Sequence, residues 1–293
     1  MLRRLAPLLT FSFLLAACGP LAVQERPVPT SGLLAPTPDL VSPEPSSTPT
    51  ETATATPPPF YPPTATATPL PTPAPAEAAI QINIPGPLSK VTSPIYVRGY
   101  VIPGYNNRVR VELFGEDGRL LARQVTSVYT SSAWAYLSVD LRFEIGAAGE
   151  LGRLSISTED RFGRLQALHS VHVLLLSEGE DQINPPEPPR ERCLLSWPLP
   201  GGQVSGSILL VEGYFRPLNR QPLVIELVSE TGQVIATRLV TVEPAPDDSY
   251  VPFAVDVPYL IEAPLWARLV VRQADDRIPG TMYLYSQEIA LYP

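Results

Sequence analysis

The chain has 293 residues, 37 of them proline, and a net charge of −8. That length allows two ordinary domains once tails are removed, and the negative balance without a basic stripe excludes a nucleic-acid binder. With only two cysteines and two histidines, neither a disulfide framework nor a histidine-rich metal centre is expected.

At the N-terminus Arg3 and Arg4 precede an apolar run from Leu5 to Ala17. The run is too short to span a bilayer as a helix, which takes about 20 residues, and it has the length of a signal-peptide core. It ends in Leu15-Ala16-Ala17-Cys18. This resembles the bacterial lipobox, which implies cleavage before Cys18 and a lipid on its sulfur. Residues 1–18 are therefore expected to be a lipoprotein signal peptide. The protein is then extracytoplasmic and held to a bacterial membrane, at the cell surface or in the periplasm, by that lipid. A lipidated Cys18 would leave Cys193 without a partner.

Residues 19–78 show no sustained hydrophobic period. Nearly half of the prolines lie before residue 77, and Thr-Ala-Thr-Ala-Thr-Pro occurs at Thr52–Pro57 and again, closely, at Thr64–Pro69. Proline removes a backbone donor and holds the chain extended. Such a segment buries too little apolar surface to offset its ordering entropy. A disordered, polyproline-like stalk is expected, reaching at most about 3 Å per residue.

From residue 79 the pattern changes to period two. Ile80, Ile82 and Ile84 alternate with polar residues, as do Ile95, Val97 and Gly99, then Val109, Val111 and Leu113, and later Leu137, Val139 and Leu141. Half-buried antiparallel strands give this pattern. The second half repeats the first. Val97-x-Gly99-Tyr100-x-x-Pro103 matches Val211-x-Gly213-Tyr214-x-x-Pro217, and Glu112-Leu113-x-x-Glu116-x-Gly118 matches Glu226-Leu227-x-x-Glu230-x-Gly232. Further along, Val139-Asp140 answers Val255-Asp256, Asp160 answers Asp275, and Ser170 answers Ser286. Each copy has about 100 residues and roughly seven strands, the size of an immunoglobulin-like sandwich. The expected fold is all-β: two tandem immunoglobulin-like β-sandwiches at 79–177 and 191–293, joined by a stiff Pro-rich hinge at 178–190, after the Pro/Thr-rich linker. Gly118 and Gly232 are expected to close three-residue hairpins with a bulge.

Ile84-Pro85, Val91-Thr92-Ser93-Pro94, Val97-Arg98-Gly99, Val111-Glu112-Leu113 and Asp117-Gly118 carry a further resemblance, with Trp197-Pro198, Val204, Val211-Glu212-Gly213 and Thr231-Gly232 in the second copy. Both domains resemble the immunoglobulin-like domain of bacterial spore germination proteins. The aromatic-acidic pair common after the strand glycine in that family is replaced here by Ile102-Pro103 and Arg216-Pro217. The resemblance implies an extracytoplasmic binding or scaffolding module, without implying germination.

No catalytic constellation is legible, and no cofactor or metal is expected. His169 and His172 are three apart on a strand and point to opposite faces, so they cannot chelate one ion. His169 is expected to be partly buried and His172 exposed. Cys193 falls at the core position of Ile80, where a thiol is inert. Asp247-Asp248 and Asp275-Asp276, with Asp160, read as solvated loop charge. Exposed aromatics are the remaining signal: Tyr100, Tyr136, Tyr214, Trp134, Tyr250 and Trp266 take outward parity. These are the candidate binding residues. The expected function is a non-catalytic binding or scaffolding module for an envelope protein or a cell-wall glycan. The alternatives are a purely structural spacer and a glycan hydrolase working through Asp275 and Asp276.

Overall fold

The computed structural model describes residues 76–130 and 132–293. The expected signal peptide, the expected lipidation at Cys18 and nearly all of the expected stalk lie outside the described residues.

The first copy contains β1 (Ile80–Ile84), β2 (Lys90–Val91), β3 (Ile95–Val101), β4 (Arg108–Phe114), β5 (Leu120–Ser127), β6 (Ala135–Leu141), β7 (Gly149–Glu159) and β8 (Leu165–Leu176). The second contains β9 (Cys193–Trp197), β10 (Gln203–Val204), β11 (Ile208–Phe215), β12 (Leu223–Ser229), β13 (Val234–Val240), β14 (Val251–Pro258), β15 (Leu265–Ala274) and β16 (Thr281–Leu291). No α-helix occurs among the described residues.

Each copy is a sandwich. In the first, a three-stranded sheet β1-β3-β6 faces β8-β7-β4-β5. In the second, β9-β11-β14 faces β16-β15-β12-β13. The short strands β2 and β10 leave the first sheet of each copy and pair in parallel with β8 and β16. This is the immunoglobulin-like arrangement, built twice. The alternation seen in the sequence sets the inside: Val97, Leu113, Leu137, Leu154, Ile156 and Val173 fill the first core, and Val211, Leu227, Phe253, Leu269, Val271 and Ile289 the second. Full burial of side chains this size contributes about 1.5–3 kcal/mol each. Gly118 and Gly232 take positive φ at the β4–β5 and β12–β13 turns, each beside a register shift.

The repeated Val-x-Gly has a steric cause. β1 and β9 bulge where they cross Gly99 and Gly213. A Cβ on Gly99 would stand 2.1 Å from the Gln81 carbonyl oxygen, and one on Gly213 2.4 Å from that of Leu194. Both obstacles are backbone and cannot swing away. Gly99→Ala is expected to cost about 2 kcal/mol or more in urea unfolding. Gly146→Ala, where a Cβ meets nothing within 4 Å, is the control and should be near neutral.

The two sandwiches are fused through their last strands. The early part of β8 pairs antiparallel with the early part of β16, with Leu168 opposite Leu284, His169 opposite Tyr283 and Ala167 opposite Tyr285. Because Ser170 answers Ser286 in the repeat, Leu168 answers Leu284, and this central pair lies on a pseudo-two-fold axis. The larger sheets merge into one of ten strands. Leu168, Leu284 and Val270 form a small apolar cluster at the junction. Every strand, both cores and the bonds joining them lie within residues 76–293, which belong to one compact unit.

Candidate binding faces

The pseudo-two-fold junction holds half of the buried charged residues. Each β7–β8 or β15–β16 turn lies against the outer sheet face of the other domain. Arg153 donates from Nη1 to Asp275 Oδ2 at 3.0 Å and to the Ile278 carbonyl at 2.8 Å, and from Nη2 to the Pro279 carbonyl at 3.1 Å. His172 Nε2 stands 2.9 Å from Asp275 Oδ2. The reciprocal pair is Arg268 Nε to Asp160 Oδ2 at 3.1 Å, joined by Arg164 Nε at 2.7 Å. Arg164 Nη2 also reaches Glu288 at 2.9 Å. Arg153 answers Arg268, Asp160 answers Asp275 and His172 answers Glu288, so one contact is made twice about the axis.

Two expectations are corrected here. Asp160 and Asp275 are not solvated loop charges; both are buried beneath the opposite domain. Burial alone would raise the pKa of Asp275. The hydrogen bonds from His172, the Arg277 backbone N–H and Arg153 outweigh it and hold the carboxyl far below the usual range. His172 does face outward from its sheet, yet it is mostly covered, because outward from the first domain here means into the second.

The segment 178–190 is tied at both ends. Gln182 and Lys90 exchange backbone hydrogen bonds, and Asp181 accepts from Thr92. Beyond it, Glu191 is buried and accepts from Tyr283 Oη, from the Arg192 N–H at 2.9 Å and from the Ala79 N–H at 3.2 Å. His169, Glu187, Arg192 and Tyr283 line a cavity of about 30 Å³, with room for a water or two rather than a ligand. Burial pushes His169 down to about 4, opposed by Glu187 and reinforced by Arg192 and Arg216. Cys193 is a buried core residue whose thiol pKa is raised by desolvation. Among the described residues no group of three or more His, Cys, Asp or Glu could hold a metal ion.

The six candidate aromatics separate. Tyr100 and Tyr136 lie opposite each other on β3 and β6. Their rings meet edge to face at 5.7 Å, and they are 44% and 56% exposed. Tyr96, not among the candidates, shares this face and is 49% exposed. The Arg98 guanidinium sits 5.7 Å from the centre of the Tyr96 ring and donates to Asp140 at 2.8 Å. Trp134, which shares the parity of Tyr136, is half-buried. In the second domain the same face reads Leu210, Glu212 and Tyr214 on β11, opposite Asp256, Ala254 and Pro252 on β14. There Tyr214 is half-buried. Tyr250 is structural: it precedes β14, its hydroxyl donates to the Glu191 carbonyl, and Arg216 packs over its ring. Trp266 is exposed, on the other sheet of the second domain.

The strand edges differ as well. On β14, Pro252 and Pro258 have no N–H, and the Asp256 carbonyl of the same parity is bonded by Arg238 of β13. That edge is blunted against further pairing. The corresponding strand β6 contains no proline. All five tyrosines of the first domain are exposed, whereas Tyr259 and Tyr283 of the second are buried.

No protein-family model matches the chain, and no curated protein matches it. Among solved structures it is similar to dimeric latent PorU from Porphyromonas gingivalis, with 14% identity over 74% of this chain and 20% of that one, at a TM-score of 0.27. The chain thus spans about a fifth of the length of PorU. It is also similar to a chimeric titin Z1Z2-Z1Z2 tandem, with 14% identity, 73% and 98% coverage and a TM-score of 0.22. A red sea bream transglutaminase gives 13% identity, 74% and 32% coverage and a TM-score of 0.27. The immunoglobulin-like assignment rests on the strand pairing of the chain itself.

Proposed function

We propose that the chain is a membrane-tethered, extracytoplasmic and non-catalytic binding module, lipidated at Cys18, whose first domain presents a tyrosine face to an envelope protein or a cell-wall glycan. The observation that carries this reading is the unequal use of aromatics in two copies of one fold. The second copy forms the same sheet with Leu210, Glu212 and Pro252, so folding does not require Tyr96, Arg98 and Tyr136 at those positions. Large, half-rigid side chains kept in water are the material of binding hot spots. The lipobox at Cys18 and the Pro/Thr-rich stretch supply the anchor and reach. The resemblance of both domains to the immunoglobulin-like domain of spore germination proteins supports an extracytoplasmic setting. Asp160 and Asp275 are engaged in joining the domains, which supports a role without turnover.

The test is capture from native envelope extract with residues 76–293 as bait. A saturable protein or glycan partner is expected, with affinity lowered about tenfold or more by Tyr100→Ala with Tyr136→Ala. Capture unaffected by that double variant removes the tyrosine face from the reading, and no capture by folded bait turns the reading toward a spacer.

A further inference from the structure

We propose that the second domain carries a separate docking groove for an extended, apolar and basic peptide segment of a partner protein, centred on Trp266. Residues from the β12–β13 turn, the start of β13 and the β14–β15 loop surround an open groove of about 560 Å³. Its walls are Val234, Ile235, Leu260, Ile261, Leu265 and Trp266. Leu260 is 86% exposed and Trp266 48%.

The first domain carries different side chains at the same corner. There Arg119 donates to both oxygens of Glu150 at 2.7 Å and to Asp117 at 2.9 Å, laying an ion pair across the hairpin. The repeat places Gln233 where Arg119 stands, Leu265 at Glu150, Leu260 at Glu144 and Trp266 at Leu151. An ion-paired surface in one copy is largely apolar in the other, on the same strands. The fold does not need the change, since the first copy is built without it. Exposed apolar concavities of this kind mark interaction sites.

The chemistry of the groove selects its occupant. Glu230 and Glu262 are its charged residues, and no basic side chain lines it. Arg161 of the first domain approaches Glu230 at only 3.8 Å, with both side chains well exposed. An anionic ligand is therefore repelled and a basic one attracted. Ser229, Thr231 and Gln233 add hydrogen-bonding groups on the side of the β12–β13 turn, while Val234, Ile235, Leu260, Ile261 and Leu265 accept aliphatic side chains. The groove also opens where β13 begins; β13 is the last hydrogen-bonded strand of its sheet, and β14 of the facing sheet lies beside it, joined through Arg238 and the Asp256 carbonyl. An extended peptide can lay alternate apolar side chains in the groove while its basic ones meet the acidic rim.

The groove is independent of the tyrosine face, and the test keeps them apart. A dye-labelled peptide of about six alternating Leu and Lys residues is titrated into residues 76–293 and followed by anisotropy. Peptides alternating Ser with Lys and Leu with Glu are the controls, with an N-acetylglucosamine oligosaccharide as the glycan arm. The Leu/Lys peptide should bind saturably, more weakly as salt rises, and neither control should bind. Trp266→Ala should weaken binding about tenfold or more. Gln233→Arg with Leu265→Glu writes the ion pair of the first domain into the second; it should abolish binding while keeping the melting temperature. Tyr100→Ala with Tyr136→Ala should leave it unchanged. Equal binding of the Leu/Lys and Ser/Lys peptides, or binding indifferent to both groove variants, overturns the proposal. Saturable binding of the oligosaccharide at Trp266 overturns it in favour of a glycan site.

Discussion

Asp275→Ala is expected to destabilise residues 76–293 by about 3–5 kcal/mol, the cost of leaving a buried charge without its partner. Arg153 keeps its carbonyl acceptors but loses its counter-ion, and the His172 ring loses its hydrogen-bond partner. Neither can readily turn to water, because the Arg153 side chain is 4% exposed and that of His172 13%. The guanidinium is also sterically committed: it fills the space where a Cβ on Gly280 would be, 2.3 Å from Nη2, and it lies 5.0 Å from the centre of the Phe114 ring. Urea unfolding followed by tryptophan fluorescence measures the loss.

A second variant separates lost charge from lost packing. Arg153→Met, His172→Phe and Asp275→Leu together remove the whole buried set and leave apolar groups of similar volume. This combination should recover most of the loss, since a buried ion pair contributes little over a well-packed apolar replacement. The shape of the transition carries more information than its midpoint. The parent should unfold in one step, because the continuous sheet and the reciprocal pairs make the two sandwiches one body. Asp275→Ala should split that step in two as the domains uncouple. A loss below about 1 kcal/mol with a single step would mean that the junction is wet and that the domains move independently in solution.

Local features were legible in the sequence and cross-domain ones were not, for a physical reason. Period-two alternation is imposed by the core on each strand separately, so Val97, Leu137 and Leu154 announce themselves. Hairpin glycines are fixed by φ, and the repeat doubles each signal. The junction joins Arg153 to Asp275 across 122 residues and Arg268 to Asp160 across 108. Both aspartates sit in hairpin loops, where an acid ordinarily faces water. One signal was present: charges of the same sign recur at Arg153 and Arg268 and at Asp160 and Asp275, in positions the core does not constrain. Identity retained between copies away from the core points to a surface both copies bury. The tyrosine face shows the opposite case. Parity alone placed Tyr96 beside Arg98 and Tyr100, but its match in the second copy is Leu210, so repeat matching gave it no weight. Tyr250 was misplaced because it stands before β14 rather than in it, where strand parity has no force.

Acidification from pH 6.5 to 4 is expected to remove about 3 kcal/mol of stability through His169 alone. Its pKa is about 4 in the folded protein, below the ordinary 6.5, because burial disfavours the imidazolium. Between these values the unfolded chain takes up a proton that the folded chain does not. Stability therefore falls as pH falls through this window, is whole above it, and flattens below pH 4 as far as this residue is concerned. The groups that face the ring are Glu187 at 3.9 Å, which favours its protonation, Arg192 and Arg216, which oppose it, and the edge of Tyr283. Glu187 is itself held below its usual range, against its own burial, chiefly by Arg192, so it adds a loss of the same sign at lower pH. Only a difference between proteins isolates the histidine. His169→Phe keeps a flat ring against Tyr283 and cannot titrate; it should be less sensitive to pH between 6.5 and 4 by about 3 kcal/mol. If the two profiles run parallel, His169 is protonated in the folded protein at its ordinary pKa. Water must then reach the cavity beside Glu187, and the 178–190 segment must leave the domains in solution. That outcome would restore this segment as a hinge, which its bonds to Lys90 and Thr92 otherwise hold shut.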